Sequence, residues 1–249
     1  MAKLPRRLTA HRFLIRRARS RAESAYTDGA RKAYDAGWAI LERALKRVPA
    51  HVIAKAAGDP ADPEVLAQVR AAMEAQLGIG AENAAEHFIA GENAWFGGQG
   101  IEWTALEVHE LKSAYQKSFA DIGGFKGISE TATEPIQGIL TSYYADPQLS
   151  LSDLTAQLQT YFSPYKANQV GVTETTRMAA VNADLVAARV GAERWEWDSA
   201  EDSHVCDECD ALDGQVFDMD SDQESPPIHV GDRCDKAILI EDTAAEDTP

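Results

Sequence analysis

Apolar positions recur at helical spacing through roughly the first three quarters of the chain and change to strict alternation only near its end. From Arg19 to Arg47, alanines and long basic side chains dominate, with Tyr26, Ala30, Ala33, Ala36, Ile40 and Leu41 near one face. The spacing predicts a helix that Pro49 stops. A second helix follows Asp59 to Pro63, with Asp62 as cap and Pro63 in the first turn. Its stripe of Val65, Leu66, Val69, Met73 and Leu77 runs up to Gly78. A third spans Ala81 to Phe96 and breaks at Gly97 and Gly98. The fourth, from about Ile101 to Phe119, aligns Ile101, Ala105, Val108, Leu111, Tyr115 and Phe119. Such stripes are core-forming faces rather than cofactor contacts.

Between Asp121 and Pro135, glycines and threonines mark an irregular connection, the best candidate for a hinge. Its Gly-Gly-Phe-Lys-Gly string lacks phosphate-loop spacing, so no nucleotide site is expected there. Pro135 is expected to start a helix through Ile136, Ile139, Leu140 and Tyr143. Ser150, Ser152 or Asp153 would cap another, carrying Leu154, Leu158 and Phe162 and ended by Pro164. From about Lys166 to Val190 an unusually polar helix carries Thr173, Glu174, Arg177, Asn182 and Asp184, with Val170, Val181, Leu185 and Val186 as its packing face. Glu174 and Arg177 are spaced for an i, i+3 pair. After Gly191 the period becomes two, with Trp195 and Trp197 on the buried face of a strand. Gln215 to Phe217 and Ala237 to Ile240 are further short strands.

Charge changes this picture at both ends. The formal net charge is −16, yet residues 1 to 47 hold 13 basic and 4 acidic side chains, leaving −25 on the remainder. Arg6, Arg7, Arg12, Arg16, Arg17, Arg19 and Arg21 thus form a basic arm suited to DNA or to the acidic surface of a neighbouring protein, or else a solvated helix. Few aromatics interleave with these arginines, and the whole is acidic, which argues against DNA binding as the main task. No apolar run reaches the 18 to 20 residues or so needed to span a bilayer.

The chemistry is concentrated late in the chain. Cys206 and Cys209 form a CxxC pair, and His229 and Cys234 follow; these are all three cysteines. Two thiols from a tight turn and a distant His and Cys can complete a tetrahedron, and zinc suits that donor set best. Disulfide pairing is the weaker reading, because the cysteine count is odd and nothing resembles a secretory signal. From Glu193 to Pro249 there are 19 acidic and 3 basic residues and few large apolar ones, and a core so small gains from a metal staple. His204 is a competing ligand. Asp218, Asp220, Asp222 and Glu224 alternate like calcium ligands but lack the turn glycine, so a solvated loop is expected. His87 and His109 have no nucleophile at a suggestive spacing, and no catalytic motif is expected.

Thr173 and Glu174, Trp195 and Trp197, the CxxC pair, the turn of Leu212, Asp213 and Gly214, and the closing Pro226, Pro227, His229, Arg233 and Cys234 together resemble the head-morphogenesis family of tailed bacteriophages, the Mu F-like minor capsid proteins. The resemblance covers about residues 150 to 241. Asp232 stands where that family has the first cysteine of a Cys-Arg-Cys, so Asp232 and Cys234 both remain candidates for the fourth ligand. The resemblance implies a protein that joins the procapsid near the portal, with portal, major capsid or scaffold proteins as partners and packaged double-stranded DNA a possible contact of the basic arm. It would act in the virion and in the host cytoplasm during assembly.

The expected architecture is mainly α: a helical body with the basic arm (1–122), a flexible connector (123–135), a head-morphogenesis domain (136–241) whose α+β metal module (193–241) holds a short antiparallel sheet, and an acidic tail (242–249). A metal-dependent nuclease or hydrolase, with zinc activating water beside Asp232 or Glu208, is the alternative function. A zinc-stabilised DNA-binding protein is the third.

Overall fold

The computed structural model describes residues 6–47, 63–98, 103–118, 120, 123–145, 150–200 and 205–240. Helices dominate: α1 (Arg6–Arg47), α2 (Pro63–Gly97), α3 (Val108–Ser118), α4 (Gly124–Ala145), α5 (Leu151–Tyr161), α6 (Pro164–Val190) and the short α7 (Asp207–Leu212). The strands β1 (Arg194–Asp198), β2 (Val216–Asp218) and β3 (Asp235–Leu239) form one antiparallel sheet in the order β2-β1-β3. No described helix is long and apolar enough to cross a membrane.

The chain forms two compact units, each assembled from separated stretches of sequence. One comprises residues 25–81 and 119–171. Its core joins Tyr26, Ala30, Ala33 and Leu41 of α1 to Leu66, Val69, Met73 and Leu77 of α2, with Ile136, Leu140, Leu154, Leu158 and Phe162. Most of the expected apolar stripes of α1 and α2 are thus buried, while Ala36, Ile40 and Val65 are only half-buried. Gly29 and Gly80 let α1 and α2 approach: a Cβ on Gly29 would lie 2.5 Å from the Gly80 Cα. Ser150 caps α5 through a reciprocal capping box with Asp153.

Several boundaries differ from the sequence expectation. The stretch expected as an irregular connector is the first half of α4, and Pro135 lies inside that helix. Thr133 and Ser129 are buried there; Ser129 Oγ meets Glu74 Oε1 at 2.9 Å, and Arg70 Nε donates to Thr133 Oγ1 at 2.8 Å. Packing against α2 outweighs the poor helix propensity of glycine and threonine. Gly78 and Gly80 do not interrupt α2, and Pro164 opens α6 rather than only closing α5, as suits a proline in a first helical turn. Asp62, Pro49, Ile101 and Phe119 lie outside the described residues.

The other unit comprises residues 1–24, 82–118 and 172–249. Here the helix expected from Ile101 begins only at Val108, and Asn93 ties down the irregular segment before it. Its Oδ1 accepts from Trp103 Nε1 at 3.0 Å and from the Leu106 amide at 2.9 Å, and its Nδ2 donates to the Leu106 carbonyl. Of the packing face expected for helix α6, Val186 is buried, but most of the buried face lies elsewhere. Thr175, Thr176, Met178, Asn182, Ala183, Val186 and Ala187 are buried, whereas Val181 and Leu185 are only half-buried. The polar members of that face have partners: Glu174 accepts from Tyr115 Oη at 2.9 Å and from Arg177 Nε at 3.1 Å, and Asn182 donates to Glu92 at 2.8 Å.

Candidate metal centre

The centre rests on a small core of its own. In β1, Trp195 and Trp197 point to the same side of the sheet and are buried with Cys209 and Cys234, and Val205, Leu212, Phe217, Met219 and Ile228 pack around them. Trp195 pairs with Phe217 across the β1–β2 ladder, with ring centroids 4.9 Å apart, and Lys236 of β3 lies 4.9 Å above the Trp195 ring. The Leu212–Asp213–Gly214 turn then closes α7 onto β1. Gly214 takes a positive φ of 72° just past the helix end, its amide donates to the Trp197 carbonyl, and Asp213 Oδ1 accepts from the Ser199 amide at 2.8 Å.

Cys206 is the N-cap of α7, and its Sγ accepts from the Cys209 amide at 3.4 Å. One turn of helix thereby brings both thiols to the same side. The loop between β2 and β3 supplies the other groups. His229 Nε2 lies 3.3 Å from Cys206 Sγ and 3.4 Å from Cys209 Sγ. Its Nδ1 is 3.1 Å from the Val230 carbonyl, an acceptor that puts the proton on Nδ1 and leaves the Nε2 lone pair facing the thiols. Cys206, Cys209 and His229 form one metal-sized cluster, and Cys209, Asp232 and Cys234 form a second that shares Cys209. A space of about 10 Å³, the volume of roughly one ion or water, is lined by all four sulfur and imidazole donors.

Asp232 is buried, and its two oxygens are already engaged. Oδ1 accepts from the Cys234 amide at 2.7 Å and Oδ2 from the Ile228 amide at 3.0 Å. The side chain thus folds the loop through an Asx turn that orients Cys234. Asp232 and Cys234 both lie within ligand range of Cys209, and Asp232 in addition shapes the loop.

Electrostatics in the ion-free protein are graded across the thiols. The Cys209 amide holds the Cys206 thiol below its ordinary pKa. Burial pushes Cys209 well above it, and burial with Asp232 alongside pushes Cys234 up to about 12, against the opposing pull of Cys209 and the Trp197 indole. His229 is disfavoured as a cation by burial, but the Val230 carbonyl and Asp232 outweigh this and raise its pKa. The buried Trp197 Nε1–H lies beside the Cys234 thiol but completes no well-formed hydrogen bond in the ion-free protein, and it has no other acceptor among the described residues. A thiolate at Cys234 would offer one, so the donor set, the space and this orphaned N–H all fit a bound metal cation.

Residues 148–237 match the family described as Phage Mu protein F like protein. Over this span the chain is similar to the Mu F-like phage head-morphogenesis proteins. Neither the curated proteins nor the solved structures yield a match. The matched span contains the whole sheet except the end of β3, both halves of the metal cluster and all of α6.

The basic arm is not a single surface. Arg19 is buried and Arg16 Nη2 pairs with Asp198 Oδ1 at 2.9 Å, so these two arginines hold the module's own elements. Arg17 and Arg21 are exposed, and the side chains of Arg6, Arg7 and Arg12 lie outside the described residues, as does His204. Asp218, Asp220, Asp222 and Glu224 are exposed and form no metal-sized cluster among the described residues. Sequence reasoning missed the loop's supports on α1 and α6, Arg19 and Thr176. Arg19 could have been found from its register, since 19, 22, 26, 30 and 33 continue one helical face on which the other four residues are apolar.

Proposed function

We propose that this chain is a minor head component of a tailed phage that docks on portal, major capsid or scaffold proteins during assembly, and that a structural zinc ion held by Cys206, Cys209, His229 and Cys234 keeps its C-terminal module rigid. The match over residues 148–237 supports the head assignment. The metal assignment is carried by the convergence of three thiols and one imidazole nitrogen on a single small space. Sulfur and imidazole donors in that number select zinc over hard cations. Four protein ligands leave no position for a reacting water, and Asp232, the carboxylate nearest the ligands, is committed to backbone amides; the site is therefore structural in this reading, not hydrolytic.

In the virion the module would present a fixed surface near the portal, after assembly in the host cytoplasm. Arg17 and Arg21, with Arg6, Arg7 and Arg12 in the same segment, are the groups left to meet an acidic partner or packaged DNA.

Metal content and unfolding with and without chelator, on wild type and Cys206→Ser, test the zinc reading. About one zinc per chain, lost in the variant, is expected; a well-folded wild type without metal sinks it. Gradient-purified phage heads probed for the chain test the other half. Presence at a few copies per head is expected, and consistent absence from heads overturns the assignment.

A further inference from the structure

The hydrogen bonds that hold the ligand loop continue into a helix 215 residues away in sequence. Arg19 of α1 is 6% exposed, and both its terminal nitrogens are engaged. Nη1 donates to the Cys234 carbonyl at 3.1 Å and to the Asp235 carboxylate, and Nη2 donates to Thr176 Oγ1 at 2.6 Å. The Thr176 hydroxyl in turn donates a hydrogen bond to the Asp232 carbonyl at 2.5 Å. One turn earlier on α6, Thr173 Oγ1 accepts from the Gly231 amide at 2.8 Å. Gly231, Asp232, Cys234 and Asp235 are thus each held from α1 or α6, and this is the stretch that delivers Cys234 and begins two residues after His229.

We propose that Arg19 is a positioning residue of the metal centre, so that docking of the start of α1 and binding of the metal are thermodynamically linked. The inference rests on the metal reading above. A buried guanidinium is stable only when its hydrogen bonds are met, and here they are met only if the Cys234 carbonyl, Asp235 and Thr176 are all in place. The arginine and the ligand loop therefore order one another. By reciprocity, the factor by which docked α1 tightens metal binding equals the factor by which metal tightens that docking. A partner that drew residues 16–24 away from the module would loosen the ion, and the ion would resist it. The family-matched span, which begins at residue 148, lacks this support.

Cobalt(II) titration of the full chain, in competition with a chromophoric chelator, tests the linkage, because the visible bands of cobalt thiolates report ligand geometry independently of fold stability. Outer-shell partners typically contribute about 10- to 100-fold in affinity. Arg19→Met is expected to weaken cobalt by that range and shift the bands, with Arg19→Lys recovering part of both. Arg189→Met, which removes an ion pair to Glu110 elsewhere in the same unit, is expected to change neither. Metal should also slow amide exchange at residues 16–22 in wild type. If Arg19→Met fails to fold, Thr176→Val cuts the relay at its second link and is expected to give the same loss. An Arg19 or Thr176 variant that melts earlier but keeps wild-type affinity and spectrum overturns the inference alone. A wild type that binds no cobalt overturns the metal reading with it.

Discussion

Asp232 is a residue whose role depends on its surroundings rather than on its type. Cys206, Cys209 and His229 come together, and Cys234 with Asp232 joins Cys209 in a second group around the same small space. The choice between Asp232 and Cys234 was not legible, because it depends on which backbone amides the carboxylate meets. Those amides belong to Ile228 and Cys234. Asp232→Asn keeps one acceptor oxygen but turns the other into a donor facing an amide, a mismatch of about 1–3 kcal/mol in a buried site. The expected outcome is an unchanged stoichiometry of one metal per chain with about tenfold weaker binding. Cys234→Ser is expected to lose the ion under the same dialysis. Equal metal loss in both variants would make Asp232 a ligand.

At the scale of elements, the long apolar stripes of α1 and α2 were readable and the breaks between elements were not. Glycine carries two opposite meanings, a helix stop or a close approach, and only the neighbour decides. Gly29 and Gly80 are the second kind. Gly29→Ala improves helix propensity by about 1 kcal/mol but drives a methyl into the Gly80 backbone, so a net destabilisation of about 1–3 kcal/mol in chemical unfolding is expected. The cap of α5 was readable as one of Ser150, Ser152 and Asp153 because its signal is local, and Ser150 takes the role with Asp153 bonding back to it. Hydrogen bonds from Ser150 hold the exposed Asp153 carboxyl below its ordinary pKa. A group depressed in the folded state stabilises above its unfolded value and loses that contribution as pH falls through the folded value. Asp153→Asn should therefore lower the melting temperature at pH 7, and the gap to wild type should close in strong acid. A gap that stays constant with pH would exclude the charge as its source.

At the scale of the whole chain, sequence order is a poor guide to what folds together. Each compact unit draws on separated stretches, and the unit holding the candidate metal takes its supports from residues 1–24 as well as from the C-terminal span. A linear reading divides the N-terminal arginines from the metal module, yet Arg16 and Arg19 bind Asp198 and Asp235 within that one unit. The unit without ligands has an apolar core of its own, built around Met73, Leu77, Ile136 and Leu158. Local stability follows local contacts, so removing the ion should act where the ion's contacts are. Amide exchange on the zinc-loaded chain, before and after chelation, is expected to speed up in residues 205–239 and 16–22 while residues 66–77 and 132–140 stay protected. Uniform acceleration across all four segments would mean that the ion supports the entire chain as one cooperative block, and no acceleration in 16–22 would separate the N-terminal helix from the metal's influence.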